Sequence, residues 1–185
     1  MMQRQHRTNS WCGERMPALL LTLLMVTGVQ AATTDNLRFD GTLVADPCEL
    51  DPKTTDISLD FGTVIDKYLY LNIRTHSKPI VIRLLGCDLS LGKTVSLTFK
   101  GTESLVLPGL LAVNSGGAGG IAIGMELADG TPLPLNKATP LMALTQDTTT
   151  LTLMNYVQGE PTAIKDHKIV TGDFTAVATF SLDYL

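Results

Sequence analysis

The sequence predicts an all-β sandwich, and three observations predict it. Apolar and polar residues alternate with period two along most of the chain, turn-forming residues recur between those runs, and two cysteines remain once an N-terminal leader is set aside. The chain has 185 residues, of which 44% are hydrophobic and 17% charged. That bounds it to one or at most two compact domains and excludes a disordered or strongly basic protein.

Taken in order, the leader comes first. Arg4, Arg7 and Arg15 precede an apolar run over residues 18–26, and Val29-Gln30-Ala31 follows. This is the pattern of a secretory signal peptide over residues 1–31. An uncleaved anchor is disfavoured because the run is too short to span a bilayer, and the mature chain carries no other apolar run long enough for a transmembrane segment. Removing three Arg and one Glu from 14 basic and 18 acidic residues leaves 11 against 17, a net charge of −6. A nucleic-acid partner would have no electrostatic footing on such a chain.

Cys12 and Trp11 leave with the leader, so Cys48 and Cys87 form the one possible pair. In an exported chain that pair reads as a disulfide. Closing a loop of about 40 residues would contribute roughly 4 kcal/mol in the chain-entropy model. Two sulfurs so far apart lack zinc-site spacing, and His76 and His167 stand in no ligand spacing, so neither a metal nor a cofactor is expected.

The first mature segment alternates as Leu37, Phe39, Gly41 and Leu43, after which the apolar phase flips to Val44, Asp46, Cys48 and Leu50. A one-residue flip turns every later side chain to the opposite face. Two readings follow: a bulge within one strand, or a leading segment that serves a different core from that of Cys48. Residues 56–65 make a weaker strand. Residues 80–85 are nearly continuously apolar, as in a central strand buried on both sides. Val95, Leu97 and Phe99 predict a strand with one core face, as do Ile121, Ile123, Met125 and Leu127, and residues 148–157 supply another. No segment carries a convincing capped helical period. Residues 114–120 read as a flexible hairpin loop: the stretch Gly117-Ala-Gly-Gly-Ile-Ala122 matches a relaxed dinucleotide-loop pattern, but strand-like alternation follows where a helix is required.

The last strand is the most regular. Phe174, Ala176, Ala178, Phe180, Leu182 and Tyr184 share one face, and the run continues to the final residue. A hydrophobic strand in that position makes either an ordinary sheet edge or one side of a vacancy. Antibody-type domains are disfavoured because no Trp lies between the cysteines.

The string Asn36-Leu-Arg-Phe-Asp-Gly-Thr-Leu-Val-Ala-Asp-Pro-Cys48, the second cysteine at Cys87, Gly172 and the penultimate Tyr184 resemble the subunits of chaperone-usher pili, or fimbriae. The stretch from Ser96 to Gly109 looks most like the minor tip and adaptor pilins of P pili. The resemblance covers essentially all of the mature chain. It implies an incomplete immunoglobulin-like β-sandwich that lacks its last strand and is completed in trans by a donor strand. It divides the chain into a signal peptide (1–31), a donor-strand extension (32–43) carrying Leu37, Phe39, Gly41 and Leu43, and a pilin domain (44–185). Phe174, Ala176, Ala178, Phe180, Leu182 and Tyr184 then form the strand that borders the groove and meets the chaperone. The implied partners are neighbouring pilus subunits, a periplasmic chaperone and an outer-membrane usher. The implied route runs through the periplasm to an adhesive fimbrium on the bacterial surface.

An enzyme is not expected. His76 and His167 lie in polar, turn-like contexts with no nucleophile motif, and the carboxylates are scattered. The alternative is a self-contained secreted β-sandwich that binds carbohydrate or protein. Such a module would present exposed aromatics, whereas the aromatics here fall largely at core-parity positions of the strands.

Overall fold

The computed structural model describes residues 39–114 and 116–185, so the leader and Leu37 lie outside the described residues. The chain divides into two compact units, residues 1–42 and 43–185. In the first, residues 39–42 carry no regular secondary structure, Phe39 is 86% exposed, and a Cβ added to Gly41 would meet nothing within 4 Å.

The second unit is a two-sheet antiparallel sandwich. Its strands are β1 (Glu49–Leu50), β2 (Lys78–Cys87), β3 (Thr94–Gly101), β4 (Leu111–Ala112), β5 (Ile121–Leu127), β6 (Met142–Ala143), β7 (Asp147–Gly159) and β8 (Ala178–Tyr184). One sheet runs β1-β2-β7-β5-β4 and the other β6-β3-β8. Ile82 and Leu84 of the first sheet pack with Val95, Leu97 and Phe99 of the second in one core, which Leu133, Leu135 and Leu151 complete. A smaller cluster of Leu69, Ala118, Ile121 and Val157 fills one end. The alternating residues meet across the sheets because strand side chains project to opposite faces with period two.

The Cys48–Cys87 disulfide joins the residue ahead of β1 to the last residue of β2. Gly86, at φ +61°, makes the bulge that brings Cys87 out of register with β7 and into the core.

Several local expectations are corrected. Residues 80–85 are not buried on both sides: Ile82 and Leu84 are fully buried, while Val81 and Arg83 face outward. On β5 the reverse holds, and Ala122 and Glu126, on the face opposite Met125, are buried as well. Residues 56–65 form no strand. Ile57, Leu59 and Phe61 alternate as half-buried side chains, but no sheet ladder runs along them among the described residues. The final strand begins at Ala178 rather than Phe174. Among the described residues two short α-helices occur, α1 (Asp66–Asn72) and α2 (Pro161–Lys165).

These helices are fixed by tertiary contacts more than by local pattern. In α1 only Leu69 is buried, Asp66 complements the positive N-terminal end, and the chain leaves through Ile73 at φ +69°. In α2 Pro161 opens the first turn, where its missing N–H costs nothing. The Tyr70 hydroxyl of α1 accepts the Ile169 N–H that follows α2, at 3.2 Å. Tyr68 and Tyr70 therefore sit on a helix instead of at strand-core positions.

Candidate functional site

A groove of about 1070 Å³ opens between residues 55–64 on one side and residues 172–180 on the other. Its floor is the interior of the sandwich: Ile80 and Ile82 of β2, Phe99 of β3, Met125 of β5 and Asn155 of β7. In a closed sandwich another element would cover these residues. Along one flank runs β8, paired with β3 on one side and with no strand on its other side among the described residues. A trough floored mainly by apolar core side chains, beside a strand edge that no described strand pairs, is a template for strand addition.

Each wall is held by specific bonds. On the first, the Lys78 ammonium donates to the carbonyls of Asp60 (3.1 Å) and Phe61 (2.9 Å), and the Asp60 carboxylate accepts the Gly62 N–H at 2.7 Å. On the second, Thr175 O accepts the Asn114 N–H at 2.7 Å, and Asp173 O accepts the Ala118 N–H at 3.0 Å. Residues 116–120 are thereby docked on the strand-like run 170–175 and do not form a separate hairpin. The docking brings two backbones almost into contact: a Cβ on Gly172 would lie 2.6 Å from the carbonyl carbon of Gly117. Only glycine fits such an approach.

The two walls touch through Phe61 and Phe174, whose ring centroids are 6.2 Å apart. Phe180 packs against Phe99 of the floor at 6.1 Å. At the far end of β8, the Tyr184 hydroxyl donates to Cys48 O at 3.3 Å, tying that strand to the disulfide. Burial, helped by the nearby negative charge of Asp46, pushes the Tyr184 phenol above its ordinary value.

Of the residues singled out from the sequence, Phe174, Ala176, Ala178 and Phe180 line the groove together. Leu182 and Tyr184 continue the same face and pack half-buried against the main core without lining the groove. Leu43 is fully exposed. Sequence reading did not single out Ile57, Phe61 or Asn155 as groove residues. The alternation of Ile57, Leu59 and Phe61 was a usable signal for a wall, whereas nothing in the local pattern marks Asn155.

The main ionic cluster lies on the opposite face of β5. Glu126 accepts from Arg74 at 2.7 Å and from the Ser77 hydroxyl at 2.6 Å, and the Arg74 guanidinium stands 4.3 Å from the centroid of the Tyr156 ring. That ring in turn covers Gly124, where a Cβ would come within 2.2 Å of it. This cluster secures the turn before β2 to the sheet. His76 and His167 are exposed, His76 hydrogen-bonded to the Tyr68 hydroxyl at 2.9 Å and His167 against the Tyr70 ring at 4.5 Å.

Comparison with known proteins agrees with this geometry. The family model described as "Fimbrial protein" matches residues 37–185. The fimbrial adapter PapK of Escherichia coli is 34% identical over 174 residues, covering 90% of this chain and 96% of that protein. The crystal structure of the P pilus rod subunit PapA superposes with a TM-score of 0.66 at 25% identity, covering 76% of this chain and all of PapA. A solved structure of a chaperone-usher pilus gives a TM-score of 0.66 at 25% identity, covering 83% of this chain and 97% of the other.

Proposed function

The chain belongs to the fimbrial protein family and is a subunit of a chaperone-usher pilus, and on that premise we propose that it joins the fibre by giving one strand and receiving another. In this reading residues 32–43 form the donated extension, with Leu37, Phe39 and Leu43 as inward anchors and Gly41 where the recipient has least room. The groove between residues 55–64 and 172–180 receives the strand of a neighbouring subunit, which pairs with the free edge of β8. Signal-directed export over residues 1–31, a periplasmic chaperone that covers the groove in transit and an outer-membrane usher belong to the same proposal. So does an adaptor position within the fibre, supported by the likeness to PapK. The role is structural and not catalytic.

The groove itself carries this reading: core side chains form its floor, and its flank is a strand edge left unpaired among the described residues. Burying Leu37, Phe39 and Leu43 in a neighbour contributes about 1.5–3 kcal/mol each before ordering costs. Deleting residues 32–43 tests it. Co-expressed with its chaperone, the truncated protein is expected to fold with an unchanged circular dichroism spectrum and to fail to crosslink to a neighbour's groove. A truncated protein that unfolds would instead mean that the segment is a strand of its own closed sandwich.

A further inference from the structure

The two walls of the groove are held in different ways. Residues 172–180 are fixed by main-chain bonds: Asp173 O and Thr175 O accept the N–H groups of Ala118 and Asn114, and from Ala178 onward β8 is laddered to β3. The opposite wall has no such support. Among the described residues, no main-chain hydrogen bond joins residues 56–64 to another part of the chain, and none of these residues is buried. Ile57 leans on the main core, and Phe61 and Val64 lean on the end cluster, each half-buried. The polar attachment comes from one side chain, that of Lys78, whose ammonium donates to the carbonyls of both Asp60 and Phe61.

Lys78 opens β2 and pairs across the sheet with Asn155. Its stem rises from the same face as Ile80 and Ile82 of the groove floor, because alternate residues of a strand share a face, yet Lys78 itself does not line the groove. Both carbonyls it holds belong to the turn at which Gly62, at φ +66°, redirects the wall. A stretch with few buried contacts and no ladder opens locally at little cost. A protein whose binding-competent form is only partly populated binds with an affinity reduced by that fraction.

We infer that Lys78 is a positioning residue for strand acceptance: it pins residues 56–64 beside the floor while the groove is empty, so that an incoming strand meets a wall already in place. This rests on the strand-acceptor reading of the groove. Because Lys78 stands outside the groove lining, its attachment governs how readily a strand enters and not which strand is chosen. Once a strand lies in the groove, its own contacts hold the wall and the attachment becomes dispensable. Loss of the Lys78 donors therefore slows association and leaves dissociation almost unchanged.

The test uses mature protein recovered from the periplasm and a labelled synthetic peptide of residues 32–43, with association and dissociation followed by fluorescence anisotropy. Lys78→Met keeps the stem and removes the donors, whereas Lys78→Arg restores several donors on a stem of similar reach. Lys78→Met is expected to lower the association rate about three- to tenfold, the effect of losing one solvent-screened, charge-assisted attachment. Its dissociation rate is expected to stay within about twofold of wild type, and Lys78→Arg to recover most of the loss. Equal association rates in wild type and Lys78→Met overturn the inference while the strand-acceptor reading stands. A loss carried by faster dissociation also overturns it, as does one that Lys78→Arg fails to recover, since either makes Lys78 part of the bound interface or of the general fold. If the peptide binds none of the three proteins, the strand-acceptor reading fails with it. Should Lys78→Met not fold, Lys78→Gln, whose shorter stem carries an uncharged amide, is held to the same expectations.

Discussion

Folding takes the carboxylate of Glu126 almost wholly out of water, and its bonds to Arg74 and Ser77 decide whether it stays charged. Burial raises its pKa, but the two hydrogen bonds and the Arg74 charge outweigh this and hold it below its ordinary value of 4.5. A carboxyl lowered on folding stabilises the native state fully above the unfolded-state value and loses that contribution as pH falls through the lower, folded value. The contribution is therefore present at neutral pH and lost in acid below about 4.5. Because Arg74 is 42% exposed, solvent screens the pair, and Glu126→Gln is expected to cost about 1–3 kcal/mol at pH 7. The same variant should lose less stability than wild type between pH 5 and about pH 3. Urea denaturation across that range checks both. Glu126 also shows a limit of sequence reading: period-two alternation placed it on the face opposite Met125, as observed, but left that face in solvent, and no pattern along β5 shows that Arg74, 52 residues away, covers it.

At the scale of elements, the crossing of Gly117 and Gly172 sets the path of one groove wall. Gly172→Ala places a methyl group against backbone on the neighbouring segment, where no side chain can move aside. It should cost about 1–3 kcal/mol, read from the denaturation midpoint, and weaken strand acceptance along residues 172–180 more than it disturbs β2 or β7. Strands β3, β5, β7 and β8 were legible because alternation is a local property. The pairing of residues 56–65 was not, because Ile57, Leu59 and Phe61 alternate like a strand but stand beside the groove with no ladder. The helices were missed for a related reason. With seven and five residues they are too short to show a period, and single contacts such as buried Leu69 and the Tyr70 hydroxyl hold them. The β2 run misled because apolar content was taken for two-sided burial, while Val81 and Arg83 face outward. The groove was foreshadowed by the C-terminal alternation, but nothing in the sequence ties Lys78 to Asp60 and Phe61.

For the whole molecule, the proposed strand exchange would make each unit part of a continuous chain of subunits, along which any tension on the fibre passes. The one cross-link among the described residues then acquires a mechanical meaning. A pull arriving through residues 39–46 reaches Cys48 and is passed covalently to Cys87, at the end of a strand that β7 holds along nearly its whole length. The two-residue β1, which the same pull would otherwise unzip first, is bypassed. Force spectroscopy on assembled fibres should find the extension at which subunits yield unchanged by mild reductant if the sheet alone carries the load. The expected result is earlier yielding once Cys48 and Cys87 are reduced, because tension then peels the short strand from the edge instead of shearing the long one.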